Sequence, residues 1–229
     1  MSHSYRIELH AHTKETSPCA SVSAPDLVAR YLAKGYDAVV ITDHLSPGYF
    51  EKYWDTKDWT GAVDAFLAGY HAVREAAGDK LRVYLGMEIR FPANANDYLV
   101  YGFDEAFLRD NFFLHMTSIE KLYELRQGTP IRVFQAHPFR YGMTLTHPRW
   151  LDGIEVYNGN PRHNSHNTFA AMWAEAHNLP GTCGSDFHDP GDEGRGGILL
   201  PYLPKDDVAL AAALTDPDKM LMQTPHFPE

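Results

Sequence analysis

Cysteine is scarce in this chain, with only Cys19 and Cys183 among 229 residues. Two are too few for a disulfide framework and they form no staple pattern, so both are read as reduced thiols. There is no long apolar run, and no basic segment followed by a short apolar one. Neither a membrane span nor a signal peptide is therefore expected, and the chain reads as soluble and cytoplasmic. Positive charge is also in short supply. Lys and Arg number 20 against 30 Asp and Glu, a formal net charge of -10, which argues against the basic footprint that duplex nucleic acid requires. A small-molecule substrate fits better, and no membrane partner is expected. No Ser-His-Asp arrangement and no glycine-rich phosphate loop occurs in a supporting context. Oligomeric state is left open.

What the chain does have is a large apolar fraction, 44% over 229 residues, enough for one large domain spanning residues 1–229. It also has 13 histidines. Ile7-Glu8-Leu9-His10-Ala11-His12 reads as a short strand whose alternation points His10 and His12 the same way. A His-x-His pair arises by chance roughly 0.7 times in such a chain, so the pair proves little alone. Its significance comes from what recurs downstream.

A helix with proline in its first turn and a closing glycine is expected over 25–35. It leads to a buried strand at 37–42 that runs into Asp43-His44. A helix over 61–77 carries Ala62, Phe66, Tyr70, Val73 and Ala77 on one face. The aromatic segment 46–59 before it is read as rim packing or as a lid. His71 and His115 are read as structural. Further strands are expected at 82–88, 98–102, 131–137 and 153–157, helices at 118–127, around Phe169 to Ala176 and at 206–214, and a last strand near Met220. Strand after strand ends on a residue able to bind a metal: His10 and His12, His44, Glu88, His137, then Asp186 and His188. In a β/α barrel the C-terminal strand ends share one face, and that face carries the active site.

The ordered set His10-Ala11-His12-Thr13, Thr42-Asp43-His44, Gly86-Met87-Glu88, Ala136-His137-Pro138-Phe139-Arg140 and Gly184-Ser185-Asp186-Phe187-His188 resembles the PHP family. This is the polymerase and histidinol phosphatase superfamily of metal-dependent phosphoesterases, and the resemblance runs from about Arg6 to about Leu200. It implies an α/β fold, a distorted seven-stranded β/α (TIM-like) barrel, holding two or three divalent ions. By motif position the ligands would be His10, His12, His44, Glu88, His137, Asp186 and His188. The family often has a further ligand in the loop after the first strand, for which Glu15 and Cys19 are the candidates. Another often comes from the fourth strand, where Asp97 is the nearest stand-in.

Mixed imidazole and carboxylate ligation without paired thiolates suits zinc, manganese or iron. Arg140, Asn158, Arg162 and Arg195 lie beside the ligand-bearing strand ends, and guanidinium forks match phosphate oxygens, so they are the substrate-binding candidates. Asp43 is a candidate either to orient an imidazole or to transfer a proton, and His163 is a candidate general acid. The expected activity is hydrolysis of a small phosphorylated metabolite, a phosphomonoester first and a nucleotide or cyclic phosphodiester next. A metallohydrolase of amides or lactones, and a non-catalytic domain of the kind appended to DNA polymerases, are the alternatives.

Overall fold

The computed structural model describes residues 4–217 and 219–224. In chain order the elements are β1 (Tyr5–Ala11), α1 (Ala24–Ala33), β2 (Ala38–Ile41), β3 (His44–Leu45), α2 (Glu51–Thr56), α3 (Trp59–Ala77), β4 (Arg82–Arg90) and β5 (Asp97–Tyr101). They continue with α4 (Glu105–Asp110), α5 (Ile119–Leu125), β6 (Arg132–Gln135), β7 (Gly153–Asn158), α6 (Asn167–Ala176), β8 (Gly181–Gly184), β9 (Gly196–Leu200), α7 (Asp207–Ala213) and β10 (Met220–Gln223). Nine strands follow one path, β10-β9-β1-β2-β4-β5-β6-β7-β8, and β3 joins β4 off that path. The path nearly closes on itself where Ala11 bridges Phe187, His12 N donates to Phe187 O at 3.0 Å and Phe187 N donates to His10 O at 3.1 Å.

A distorted β/α barrel is therefore what the chain builds, with more than the expected seven strands. The additions are the two-residue β3, the antiparallel β9, which pairs with β1, and β10, which pairs with β9. The barrel is not all-parallel either. β5 runs antiparallel to both β4 and β6, so the start of β5, not its end, lies on the face where its neighbours carry ligands.

Local signals explain the elements. Ser23 caps α1 by accepting from Asp26 N, and proline follows within the first turn. The expected core face of α3 is buried at Ala62, Phe66, Tyr70, Val73 and Ala77. Its outer face carries His71, whose Nε2 lies 3.4 Å from Glu105 Oε1. One apolar cluster fills the barrel, drawing Ile7 and Leu9 from β1, Val40 from β2, Tyr84 from β4 and Phe134 from β6, and Leu210 and Leu214 at the end of α7 join it. A second packs α1, α3 and α6 on the outer faces of the strands. Among the described residues, no helix is long and apolar enough to cross a membrane.

In β1 the pairing register to β2 shifts between Glu8 and Ala11. Leu9 lies in the interior cluster, yet Ala11 lies in the outer one, and His10 and His12 face the barrel mouth together. An irregularity of this type re-aims side chains at the cost of ladder bonds. Here a buried carboxylate replaces them. Glu8 Oε1 accepts from Leu9 N and His10 N, both at 3.0 Å, and from Ser185 N at 2.8 Å, while Tyr31 Oη donates to Oε2 at 3.0 Å.

His115 is buried among Phe50, Trp59 and Phe113, and neither ring nitrogen has a hydrogen-bond partner. Burial pushes its pKa down to about 4 from 6.5. A depressed histidine leaves stability intact above the unfolded pKa of 6.5 and withdraws it as pH falls from there toward about 4. The wild-type chain is expected to lose about 2 kcal/mol from this group between pH 7 and pH 5. His115→Leu should remove that part of the loss in denaturant titrations at the two pH values. Parallel pH curves for the two proteins would contradict it.

Candidate metal centre

Eight side chains converge at the barrel mouth. His10 and His12 come from the end of β1, and His44 from β3 in register with Glu88 of β4. Asp97 opens β5, His137 follows β6, and Asp186 and His188 follow β8. Glu88 sits at the middle. Its Oε1 is 3.0 Å from His137 Nε2 and 3.5 Å from His10 Nε2, and its Oε2 is 2.9 Å from His44 Nδ1 and 3.4 Å from His12 Nε2. Asp186 Oδ1 lies 3.4 Å from His10 Nε2, 3.5 Å from His12 Nε2 and 3.3 Å from His188 Nδ1. Three groups have donor atoms within 4.8 Å of one another: His12 with His44 and His188, His10 with His12 and Asp186, and Glu88 with Asp97 and His137.

These residues fit divalent cations on an observation separate from any motif. His10 Nε2, both nitrogens of His12, Glu88 Oε2 and His137 Nδ1 are buried without an aligned hydrogen-bond partner. Buried polar atoms are normally satisfied. Donor atoms left unsatisfied on side chains that gather in this way are satisfied by cations, and imidazole with carboxylate is a donor set that zinc, manganese and iron accept. Two of the positions, His137 at φ 30° and Asp186 at φ 51°, hold left-handed backbone that is costly for residues with a Cβ. Such strain concentrates where a side chain must be aimed.

Electrostatics agree. Burial alone would raise the carboxyls of Glu88 and Asp186, but the facing charges of His10 and His44 on Glu88, and of His10 and Arg140 on Asp186, hold both well below the usual range. Burial and the neighbouring His188 and His44 push His12 well below 6.5, which keeps one ring nitrogen free to ligate. Burial opposes charge on His10 as well, but Asp186, Glu155 and Glu88 raise it well above 6.5.

Glu155 of β7 sets the geometry from behind. Its Oε1 lies 2.9 Å from His10 Nδ1, which leaves Nε2 facing the centre, and its Oε2 accepts from His137 N and Asn158 Nδ2, each at 2.9 Å. The sequence reading missed this residue and Glu8. The available signal was a carboxylate inside an otherwise apolar strand. Arg90 was missed too. It lies two residues beyond Glu88 on β4, hence on the same face, and donates to both oxygens of Asp97 at 2.7 and 2.6 Å. Asp97 thus reaches the centre while sharing its charge with Arg90.

The other candidates fall into place differently. Glu15 is exposed, and its Oε1 accepts from Ala24 N at 3.0 Å at the start of α1, away from the cluster, so it is not brought to the centre. Cys19, the alternative on that loop, lines the cavity; burial opposes its ionisation, but the neighbouring imidazoles of His188 and His44 lower the thiol to about 6, and none of the three donor groups includes its sulfur. Asp43 faces inward rather than toward the cavity. Its carboxylate accepts from Thr13 N, Thr13 Oγ1 and Ser17 Oγ, all at 2.7 Å, so it anchors the loop after β1 and is not placed to transfer a proton.

A cavity of about 640 Å³ opens over the cluster, lined by Tyr49, Arg90, Arg140, Met143, Arg162 and His163 among others. Arg140 Nη2 donates to Asp186 Oδ2 at 2.7 Å and to Asn158 Oδ1 at 2.9 Å, so Asn158 supports the arginine. Arg162 reaches the rim but is held by both oxygens of Asp192 at 2.8 and 2.7 Å. Arg195 is not part of the lining. Its Nε donates to Gly191 O and its backbone N to Ser185 Oγ, each at 3.0 Å, which makes it a loop-closing residue. Burial and the charge of Arg140 lower the His163 pKa, which favours the neutral ring over the imidazolium that a general acid needs. Of the aromatic segment, Phe50 and Trp59 enter the core while Tyr49 packs its ring 5.5 Å from His44, so rim packing and cavity lining divide it.

Over 83 residues this chain is 39% identical to a PolC-type DNA polymerase III of Streptococcus suis (strain 98HAH33), a stretch that covers 36% of this chain and 4% of that polymerase. Among solved structures, a two-domain protein from Bacteroides vulgatus ATCC 8482 containing a predicted PHP-like metal-dependent phosphoesterase matches with a TM-score of 0.68 at 17% identity. The match covers 96% of this chain and 65% of that one. PsfC from Pseudomonas syringae PB-5123 matches with a TM-score of 0.65 at 19% identity, covering 96% of this chain and 92% of that one. At such identities these structures speak for the fold alone. The family model described as the PHP domain matches residues 8–187, from Glu8 in β1 to Phe187 beyond β8, and this chain belongs to the PHP domain family.

Proposed function

We propose that this chain is a metal-dependent phosphoesterase acting on a small phosphorylated substrate, with a phosphomonoester favoured over a nucleotide or cyclic phosphodiester. The observation that carries the reading is Arg140, fixed against Asp186 and Asn158 in the cavity wall directly beside the ligand cluster. A guanidinium so placed offers its remaining donors to phosphoryl oxygens in a preset orientation. Bound divalent cations, two or three of zinc, manganese or iron, would be held by His10, His12, His44, Glu88, Asp97, His137, Asp186 and His188, and would supply Lewis-acid polarisation and a nucleophile at neutral pH. His163 at the mouth, its ring favoured in the neutral form, would accept and hold a proton at the cavity edge rather than donate one as the general acid. Tyr49, Phe91 and Met143 give the cavity an apolar wall for the organic part of the substrate. A volume of about 640 Å³ suits a metabolite rather than a duplex.

The test is release of phosphate or alcohol from a generic phosphomonoester and a generic phosphodiester by one preparation, before and after chelation and with manganese or zinc restored. Chelator-sensitive turnover that is faster on the monoester is the expected result. The stretch shared with a PolC-type polymerase favours a second reading, a non-catalytic PHP domain. It predicts bound metal with no turnover across a panel of phosphorylated metabolites, which would overturn the first.

A further inference from the structure

The loop that carries Arg140 starts inside the barrel mouth and returns on the outer face of the sheet. Along β6 the alternation puts Phe134 and Ala136 in the interior cluster and Val133 in the outer one, so Gln135 faces outward, paired with Tyr98 of β5, itself in the outer cluster. His137 turns back over the strand end on left-handed backbone, Arg140 N donates to His137 O at 3.0 Å, and the arginine reaches the cavity wall. Beyond it Tyr141, at 99% exposure, gives the tip of the loop no packing, and Gly142 is left-handed at φ 88°. The returning end is held by side chains instead. Gln135 is buried, its Nε2 donates to Thr144 O at 2.7 Å, and its Oε1 accepts from Thr146 N at 3.0 Å. Asn96, buried just before β5, accepts from Thr144 N through Oδ1 at 2.8 Å and donates through Nδ2 to Thr146 Oγ1 at 3.2 Å. Tyr98 Oη lies 2.8 Å from the same threonine hydroxyl. A carboxamide is costly to bury unless its bonds are made, and both of these make theirs to Thr144 and Thr146.

We infer that Gln135 and Asn96 are positioning residues for phosphate binding: they clamp the returning end of the loop and thereby hold the Arg140 guanidinium against Asp186 and Asn158. The inference rests on the reading of Arg140 as the phosphate contact. Neither carboxamide lines the cavity, so each acts only through the loop. Their places in the chain explain why the arrangement works. Gln135 precedes His137 by two residues and Asn96 stands next to Asp97, so the same two strand ends that aim candidate ligands inward grip the loop on their outer side. Arginine and ligand cluster thus share one frame. A guanidinium already fixed in direction loses less freedom when a phosphoryl group binds, which is the advantage the clamp supplies.

Inorganic phosphate is the probe, titrated calorimetrically into the full chain loaded with manganese, so that the readout is a dissociation constant rather than turnover. Gln135→Met, which keeps the length of the side chain and removes both bonds, should weaken phosphate binding roughly 10-fold. Thr146→Val, which replaces one hydroxyl by a methyl, should weaken it roughly 3-fold and decides the matter if the methionine variant does not fold. Bound manganese should match wild type in both. In an Arg140→Ala background neither substitution should weaken binding further, because the arginine through which they act is gone. Clamp variants that bind phosphate like wild type overturn the inference, as does a loss that persists in full without Arg140 or one that comes with loss of manganese. Wild type that binds no phosphate, or Arg140→Ala that binds it as wild type does, overturns the reading of Arg140 and the clamp with it.

Discussion

Glu88→Ala is expected to lower hydrolysis by about 10³-fold or more and to remove more than one cation at once. No other carboxylate in the cluster lies within 3.5 Å of so many of its imidazoles. Its two oxygens lie between 2.9 and 3.5 Å from nitrogens of His10, His12, His44 and His137, which belong to all three donor groups. A carboxylate placed there would supply negative charge to more than one cation position, and without it the remaining imidazoles lose the charge that would offset neighbouring cations. Metal content by mass spectrometry, taken alongside rates with metal in excess, checks this. A variant that loses a single ion and keeps most of its activity would show that Glu88 serves one position only. Glu88→Gln, which keeps the shape but not the charge, should behave like the alanine variant.

Arg140→Ala should reduce kcat/KM for a phosphate ester by about 10²–10³-fold while leaving bound metal unchanged. The guanidinium donates through Nη2 to Asp186 and Asn158, whereas Arg90 and Arg162 each spend two nitrogens on a single carboxylate, Asp97 and Asp192 respectively. Arg140→Lys is expected to recover little, because an ammonium offers neither the planar fork nor its fixed direction. The comparison separates two chemistries. A substrate with no phosphate, such as an amide or lactone, should be turned over by wild type and Arg140→Ala alike if the carbon-centred alternative holds, and that outcome would remove the phosphoesterase reading.

The candidate ligand positions were legible because they lie within or just beyond the C-terminal parts of short apolar strands, whose ends are set by local pattern. Asp97 was legible only as a neighbour of a strand. Its place on the correct face depends on β5 running antiparallel, and strand direction is a long-range property that periodicity does not carry. The irregularity in β1 escaped for a related reason: strict alternation would put Leu9 and His10 on opposite sides, and the local break in register makes room for both within the barrel. Glu155 and Glu8 carry no motif, and only burial beside a ligand reveals them. Arg195 and Glu15 show the converse error. Each stands near a motif in sequence, yet backbone groups close at hand, Gly191 O for one and Ala24 N for the other, claim their side chains.

The seam where the barrel closes also sets an order of events during synthesis. β1 lies between β2, made almost at once, and β9, made near residue 196. The group of His10, His12 and Asp186 likewise spans positions 10 and 186. A growing chain therefore holds its first strand with one unpaired edge, and its histidines without their carboxylate, until most of the polypeptide has emerged. Contacts of such long sequence separation are slow to form and leave edges exposed to other chains meanwhile. Fragments that stop short of Gly196 are therefore expected to be less soluble than the full chain, the cost of a centre assembled from both ends of the barrel.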